Sequence, residues 1–307
     1  MVKRYRRSAA GYDEQLPSDI RPPLVLQKTL DYLINEIVGG PDALANVHLF
    51  VWDRTRAIRN DFSIQQVTRL DDIRIAIDCF ERIARFHILS LHLLSDPDRD
   101  NGEFDHHQER EQLNNTLLSL MYYYDDSRHK LTSPNEAEFR AYCIIFEIQD
   151  LRPDLEDRAQ QWPRSLLRDQ RVQTALRLYA AAGNFSDDQG PLRPRTAFAV
   201  AQASTGRFWS IVRSNAVSYI MACVTEIYFD SVRRTALEAI WKAYRGKRGG
   251  AAKIEDWGLD SLTSVLGFDD EQQTQAFVEE HGFSIAERVD GEAFIDLGSV
   301  ASRHLSG

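Results

Sequence analysis

The chain has 307 residues, of which 43% are hydrophobic and 27% charged, an ordinary balance for a globular protein with room for a large buried core. Its formal net charge of −9 excludes bulk adhesion to a polyanion, so any such partner has to meet a local patch. The sequence holds no run of about 18 apolar residues that could span a membrane, and its three cysteines (Cys79, Cys143 and Cys223) are sparse, odd in number and set among apolar neighbours, which suits buried thiols and excludes a disulfide frame or zinc site.

The opening Met1-Val2-Lys3-Arg4-Tyr5-Arg6-Arg7 is basic and lacks the apolar segment of a secretion signal, so a cytosolic or nuclear location is expected. Residues 1–30 carry a local charge of +3, and 1–24, with Pro17, Pro22 and Pro23, read as an extended arm. The double proline suits the start of a helix over Leu24 to Val38, which Gly39-Gly40-Pro41 ends. In the next stretch, Phe50, Val51, Arg54, Ile58 and Phe62 share a helical face. Arg54, Arg56 and Arg59 invite a phosphate-binding reading, but Asp53 and Asp61 are close enough to pair with them, and structural pairing is the expectation.

Leu70 to Leu94 is the clearest amphipathic helix, with Ile73, Ile77, Phe80, Ala84, His87 and Leu91 in one stripe. His87 reads as a core histidine with one satisfied nitrogen. His106 and His107 diverge by about 100° on a helix and read as surface residues, not as a metal pair. Further helices are expected over Leu113 to Tyr124, from Ser133-Pro134-Asn135-Glu136 to about Gln149, over Arg168 to Ala182, over Thr196 to Ser204, and from Gly206. Ser133 with Glu136 resembles a capping box with Pro134 at the first helical position. Helices at short intervals describe stacked antiparallel pairs, a helical solenoid over residues 25–216.

The apolar residues Val217, Ile220, Met221, Val224, Ile227 and Tyr228 then recur at helical steps, and a single connecting helix is expected over 217–245, a rod of about 42 Å from Val217 to Tyr244. Around its exit, Lys242, Arg245, Lys247, Arg248 and Lys253 follow one another with no Asp or Glu between them, on a glycine-broken loop. These cations suit either a solvated helix end or contacts with nucleic-acid phosphates. Two short helices follow, over Trp257 to Leu266 and Asp269 to His281. Alternating segments on either side of Asp290-Gly291 predict a two-residue hairpin. Helices followed by a hairpin are a winged-helix plan, assigned to residues 246–307. Residues 254–296 carry a local charge of −11, so the wing itself is a poor phosphate reader.

Several stretches resemble the SAC/GANP family: Lys3 to Ala10, Leu16 to Leu26, Thr29 to Leu33, Phe50 to Arg59, Ser133 to Tyr142 and Phe208 to Ser214. The resemblance implies a PCI-like solenoid ending in a winged helix, the middle region of a longer scaffold in the second type of TREX complex, which couples transcription to messenger-RNA export at the nuclear envelope and pore basket. It implies a PCI-type partner subunit docked winged helix to winged helix, a small acidic DSS/Sem-type protein supporting that partner, and a shared basic surface for RNA or DNA. The same fold would serve another PCI-type assembly, such as a splicing-linked paralogue complex. For nucleic acid the candidates are Lys242, Arg245, Lys247, Arg248 and Lys253, with Arg4, Arg6 and Arg7 as a second set. No P-loop, His-Glu-x-x-His pair or nucleophile elbow is present, and neither enzymatic activity, nor a cofactor, nor a metal site, nor a small-molecule substrate is expected.

Overall fold

Pro22 and Pro23 open the first helix where their missing N–H groups cost nothing, and in the computed structural model α1 spans Pro23–Asp31. The structure describes residues 2–6, 17–95, 104–148, 155–182, 205–244, 257–288 and 291–297, without the side chains of 155–157. A π-helical continuation, Tyr32–Val38, follows α1 and ends where Gly39 N–H donates to the Ile34 carbonyl at 2.9 Å. The remaining helices are α2 (Leu44–Gln65), α3 (Leu70–Leu93), α4 (His106–Ser127), α5 (Glu136–Phe146), α6 (Leu155–Gln160), α7 (Arg164–Leu167), α8 (Gln170–Ala182), α9 (residues 205–212), α10 (Tyr219–Glu226), α11 (Phe229–Tyr244), α12 (Leu259–Leu266) and α13 (Glu271–Glu280). The strands β1 (Ser284–Glu287) and β2 (Ala293–Asp296) pair antiparallel. The mainly helical fold with a terminal hairpin is the one expected. The expected cap at Gly183-Asn184, the Ser186 to Pro194 loop and the Thr196 to Ser204 helix lie outside the described residues.

Two compact units form. One comprises Met1–Phe146, Ala159–Gln173 and Ser218–Glu226, the other Glu147–Arg158, Thr174–Val217 and Ile227–Gly307. The first unit is built around α3, which packs against α1, α2, α4 and α10. Its predicted stripe is buried at Ile77, Phe80, Ala84, His87 and Leu91, and Cys79, Ile83 and Ile88 bury its other flank. Each such aliphatic or aromatic side chain contributes about 1.5–3 kcal/mol on leaving water.

Long helices packed this closely also enclose charges. His87 Nδ1 lies 2.7 Å from Glu109 Oε1, and His48 Nε2 lies 3.1 Å from Glu109 Oε2, so two imidazoles hold one buried carboxylate. Glu81 on α3 accepts from the Tyr124 hydroxyl at 2.7 Å, Ser133 Oγ at 2.8 Å and Asn135 Nδ2 at 2.6 Å. Those last contacts correct the expected capping box. The Ser133 hydroxyl donates to Glu81 and accepts from Asn135 N–H at 3.3 Å, Pro134 and Asn135 form a turn, and α5 starts at Glu136, whose carboxylate holds buried Arg140 at 2.9 Å.

The predicted single rod is likewise corrected. It is two helices, α10 and α11, separated at Ile227 and Tyr228. Thr225 bonds back to the Met221 carbonyl at 2.8 Å, a contact that bends helices, and Ile227, Tyr228 and Phe229 are weak helix formers in succession. The Tyr228 carbonyl restarts the ladder by accepting from Val232 N–H at 3.0 Å. The break coincides with the change from one unit to the other.

In the second unit, Leu237, Ile240 and Trp241 of α11 pack with Leu262, Leu266, Phe277, Val278, Phe283 and Ile295. Asp270 caps α13 by accepting from Gln273 N–H at 2.8 Å. The hairpin forms in the register Ile285 to Ile295 and Ala286 to Phe294, but its turn is not the expected two-residue type. Arg288 N–H donates to the Glu292 carbonyl and Gly291 N–H to the Arg288 carbonyl, both at 2.9 Å, leaving three residues between the last bonded pair. Gly291, at φ 86°, supplies the left-handed position such a loop requires. On the other side of β2, Ile295 N–H donates to the Trp257 carbonyl at 3.1 Å.

Gly267 ends α12 at φ 72°, and a Cβ there would meet Trp209 ring atoms at 2.5 Å. Gly267→Ala therefore combines left-handed strain of about 1–2 kcal/mol with a clash against a buried indole. The variant should unfold at a clearly lower urea concentration than wild type. Burial, opposed by the facing Glu109, holds His87 below the ordinary histidine value, while in Glu109 the two imidazoles outweigh burial and hold the carboxyl below its own. Both groups bind protons more readily when unfolded, so the stability tied to His87 is lost as pH falls below about 6.5 and that tied to Glu109 only below about 4.5, by up to about 1.4 kcal/mol per pH unit for each proton. The Tm should drop between pH 7 and pH 5, and His87→Gln should flatten that slope.

Candidate nucleic-acid interface

The basic opening residues lie along α2 with a period of two, which is the signature of extended chain. Lys3 and Tyr5 are partly buried, whereas Arg4 and Arg6 are exposed. Lys3 Nζ is fixed by the Asp61 carboxylate at 3.0 Å and the Asp19 carbonyl at 3.1 Å. The Tyr5 backbone N–H donates to Asp53 Oδ2 at 3.2 Å, and its ring lies 4.1 Å from the Arg56 guanidinium carbon. Arg56 also reaches the Trp52 ring at 5.5 Å. Neither Arg4 nor Arg6 makes an ion pair among the described residues.

The three arginines of α2 are all engaged, though not as simply as expected. Arg54 pairs with Asp53 and sits over Phe50. Asp61 pairs instead with Lys3 and with Arg21 Nε, the latter at 2.7 Å. Asp61 is wholly buried, so removing it would strand a buried arginine at a cost of about 3–5 kcal/mol. Arg59 is buried and donates to Gln112, and burial, with Arg56 adding to it, lowers its pKa to about 10. What looked like a phosphate-binding motif is the seam between α2, α4 and the arm.

In the second unit, Lys242 is exposed on the last turn of α11 and pairs with Glu238 at 2.6 Å, four residues back. Such an exposed pair is worth only a few tenths of a kcal/mol and leaves the cation available. Arg234, exposed on the same helix about 12 Å earlier, was missed by the sequence reading. Its neighbour Arg233 turns inward, 3.8 Å from the centre of the Phe268 ring and bonded to the Leu266 and Gly267 carbonyls at 3.3 Å each. The Arg233-Arg234 pair on an amphipathic helix was the available signal, since only one of two adjacent residues can face the core. Arg7, Arg245, Lys247, Arg248 and Lys253 lie outside the described residues.

The acidic character of the last segment is displayed on its surface. Asp260, Asp269, Asp270, Glu271, Glu279, Glu280, Glu287 and Glu292 are exposed, and Arg288, the one cation among residues 257–297, pairs with Glu292 at 3.0 Å. Among the described residues no three His, Cys, Asp or Glu side chains are placed to hold a metal ion, and no helix is long and apolar enough to cross a membrane.

The comparisons agree on one lineage. The SAC3/GANP family model matches residues 1–287. The chain is similar to SAC3 family protein 1 of Schizosaccharomyces pombe, 42% identical over 98% of this chain and 28% of that protein. It is also similar to Protein xmas of Drosophila melanogaster, 30% identical over 93% of this chain and 13% of that protein. SAC3 family protein B of Arabidopsis thaliana is 30% identical over 92% of this chain and 15% of that protein. The chain thus spans less than a third of the length of each of these relatives. A helical stack carrying a terminal hairpin, matched by one family model from residue 1 to residue 287, belongs to the SAC3/GANP family.

Proposed function

We propose that this chain is a non-enzymatic scaffold region of the nuclear complex that couples transcription to messenger-RNA export. The observation that carries this reading is the family match over residues 1–287, supported by 42% identity to SAC3 family protein 1 along nearly the whole chain. The element order α11, α12, α13, β1, β2 around one apolar core is that of a winged helix, and the preceding helical stack is the companion expected in a PCI-type subunit. In this reading the chain docks side by side with the winged helix of a PCI-type partner, which a small acidic DSS/Sem-type protein supports, at the nuclear envelope and pore basket. The acidic surface of residues 257–297 then faces protein, and the cations contact RNA or DNA.

The nucleic-acid contact comprises Lys242, Arg245, Lys247, Arg248 and Lys253 at the exit of α11, with Arg4, Arg6 and Arg7 as the second set. Contacts of this kind are to phosphates, so binding should be sequence-tolerant and steeply salt-dependent. Co-purification tests the scaffold reading: the tagged chain should bring down a PCI subunit and its small acidic companion as a stoichiometric complex. Recovery of splicing-linked subunits in their place would assign the chain to a different assembly. In the purified complex, Lys247→Glu with Arg248→Glu should weaken single-stranded RNA binding at least tenfold and reduce the salt slope by about 2, with Tm unchanged.

A further inference from the structure

We propose that residues 2–6 are a pre-set phosphate reader, in which Lys3, Tyr5, Asp53 and Arg56 are positioning residues that hold Arg4 and Arg6 outward as a fixed pair. The proposal rests on the nucleic-acid reading above and specifies how one of its two cation sets works and what it takes: the backbone of a single-stranded nucleic acid.

Five residues with three cations would ordinarily be a mobile, solvated tail. Here the two inward residues are anchored at separate points of α2. Lys3 Nζ lies 3.0 Å from buried Asp61, and Tyr5 is held twice, by its N–H at 3.2 Å from Asp53 and by its ring under Arg56 at 4.1 Å. Anchors on residues 3 and 5 of an alternating segment fix residues 4 and 6 on the opposite side, about 7 Å apart at extended spacing. Successive phosphates of an extended single strand offer a comparable spacing. Because the side of the chain they face is decided before any ligand arrives, the ordering entropy of the arm is not charged to binding. Asp53 and Asp61 consequently aid the binding of an anion even though they are themselves negative. Asp61 is enclosed and neutralised by Lys3 and Arg21, and Asp53 is engaged by Arg54 and the Tyr5 N–H.

That inversion of sign is what an experiment reads. In the assembled complex, fluorescence anisotropy with a short mixed-sequence single-stranded RNA would be followed across a salt series. Arg4→Ala with Arg6→Ala should weaken binding roughly tenfold and lower the salt slope by about 2. Asp53→Ala removes a negative charge, so simple Coulomb attraction requires tighter binding; the proposal requires binding several-fold weaker. Tyr5→Ala should do the same and Tyr5→Phe should restore affinity, while Tyr5→Ala added to the double arginine variant should cost nothing more, since the anchor then has nothing left to position. Asp53 is only partly buried, so its variant tests the idea without stranding an interior charge as Asp61→Ala would. Unchanged or tighter binding by Asp53→Ala overturns the proposal, as does full affinity in the double arginine variant. Equal competition by polyglutamate would assign the pair to an acidic protein and overturn it too. A wild-type complex with no salt-dependent RNA binding removes the nucleic-acid reading itself, an outcome separable from all of these.

Discussion

A carboxylate enclosed between helices must be met by cations or donors, and that requirement sets the geometry of the first unit. Asp61, Glu81 and Glu109 are each almost wholly buried. Their partners come from other elements: Lys3 and Arg21 for Asp61, Tyr124, Ser133 and Asn135 for Glu81, His48 and His87 for Glu109. Apolar contacts alone tolerate a helix sliding or rotating by a fraction of a turn, at modest cost. A carboxylate with two or three donors at hydrogen-bond distance does not, because losing one strands a desolvated group. The apolar stripes therefore supply most of the stabilisation, and the polar clusters select one register among the packings those stripes would allow.

The second unit solves the same problem with an arginine. Arg233 on α11 lies against the Phe268 ring and donates to the carbonyls that end α12, where the helix dipole is negative. Trp209 and Phe229 pack edge to face at 4.9 Å on the same cluster, and Gly267 has no side chain because the indole occupies that space. One guanidinium thus links α11 to α12 through charge, ring stacking and capping together. It also explains why Arg234, its neighbour in sequence, is left to face solvent.

The distribution of cations between interior and surface bears on function. Arg21, Arg59 and Arg140 are buried and hold the stack together, Arg56 is committed to aromatic rings, and Arg4, Arg6, Arg234 and Lys242 are among the exposed cations open to a polyanion. Arginine suits the interior role because its planar fork satisfies several acceptors at once and its desolvation cost is lower than that of an ammonium group. A count of basic residues along the chain therefore overstates the surface that could meet phosphate, and on α2 it does so completely.

The mainly helical character, the α3 stripe and its core histidine, the exposure of His106 and His107, the terminal hairpin and the acid surface were legible from residue order, because each depends on spacing within one helix or strand or on a local excess of one charge; the short helices α6 and α7 were not. The family was legible for the same reason, since its motifs are contiguous. Three further things were not. Ser133 and Glu136 make no capping box: the Ser133 hydroxyl donates to Glu81, 52 residues away, and accepts from Asn135 N–H, while the Glu136 carboxylate meets Arg140. The rod at 217–244 breaks at Ile227 and Tyr228, where the chain passes from one compact unit to the other, a change its unbroken apolar periodicity does not register. The arginines of α2 are committed because the arm, α2 and α4 converge on them. Local spacing fixes which face of an element is apolar; only the folded chain decides which polar group reaches which partner, since such contacts join residues far apart in sequence and the strongest available donor or acceptor takes the bond.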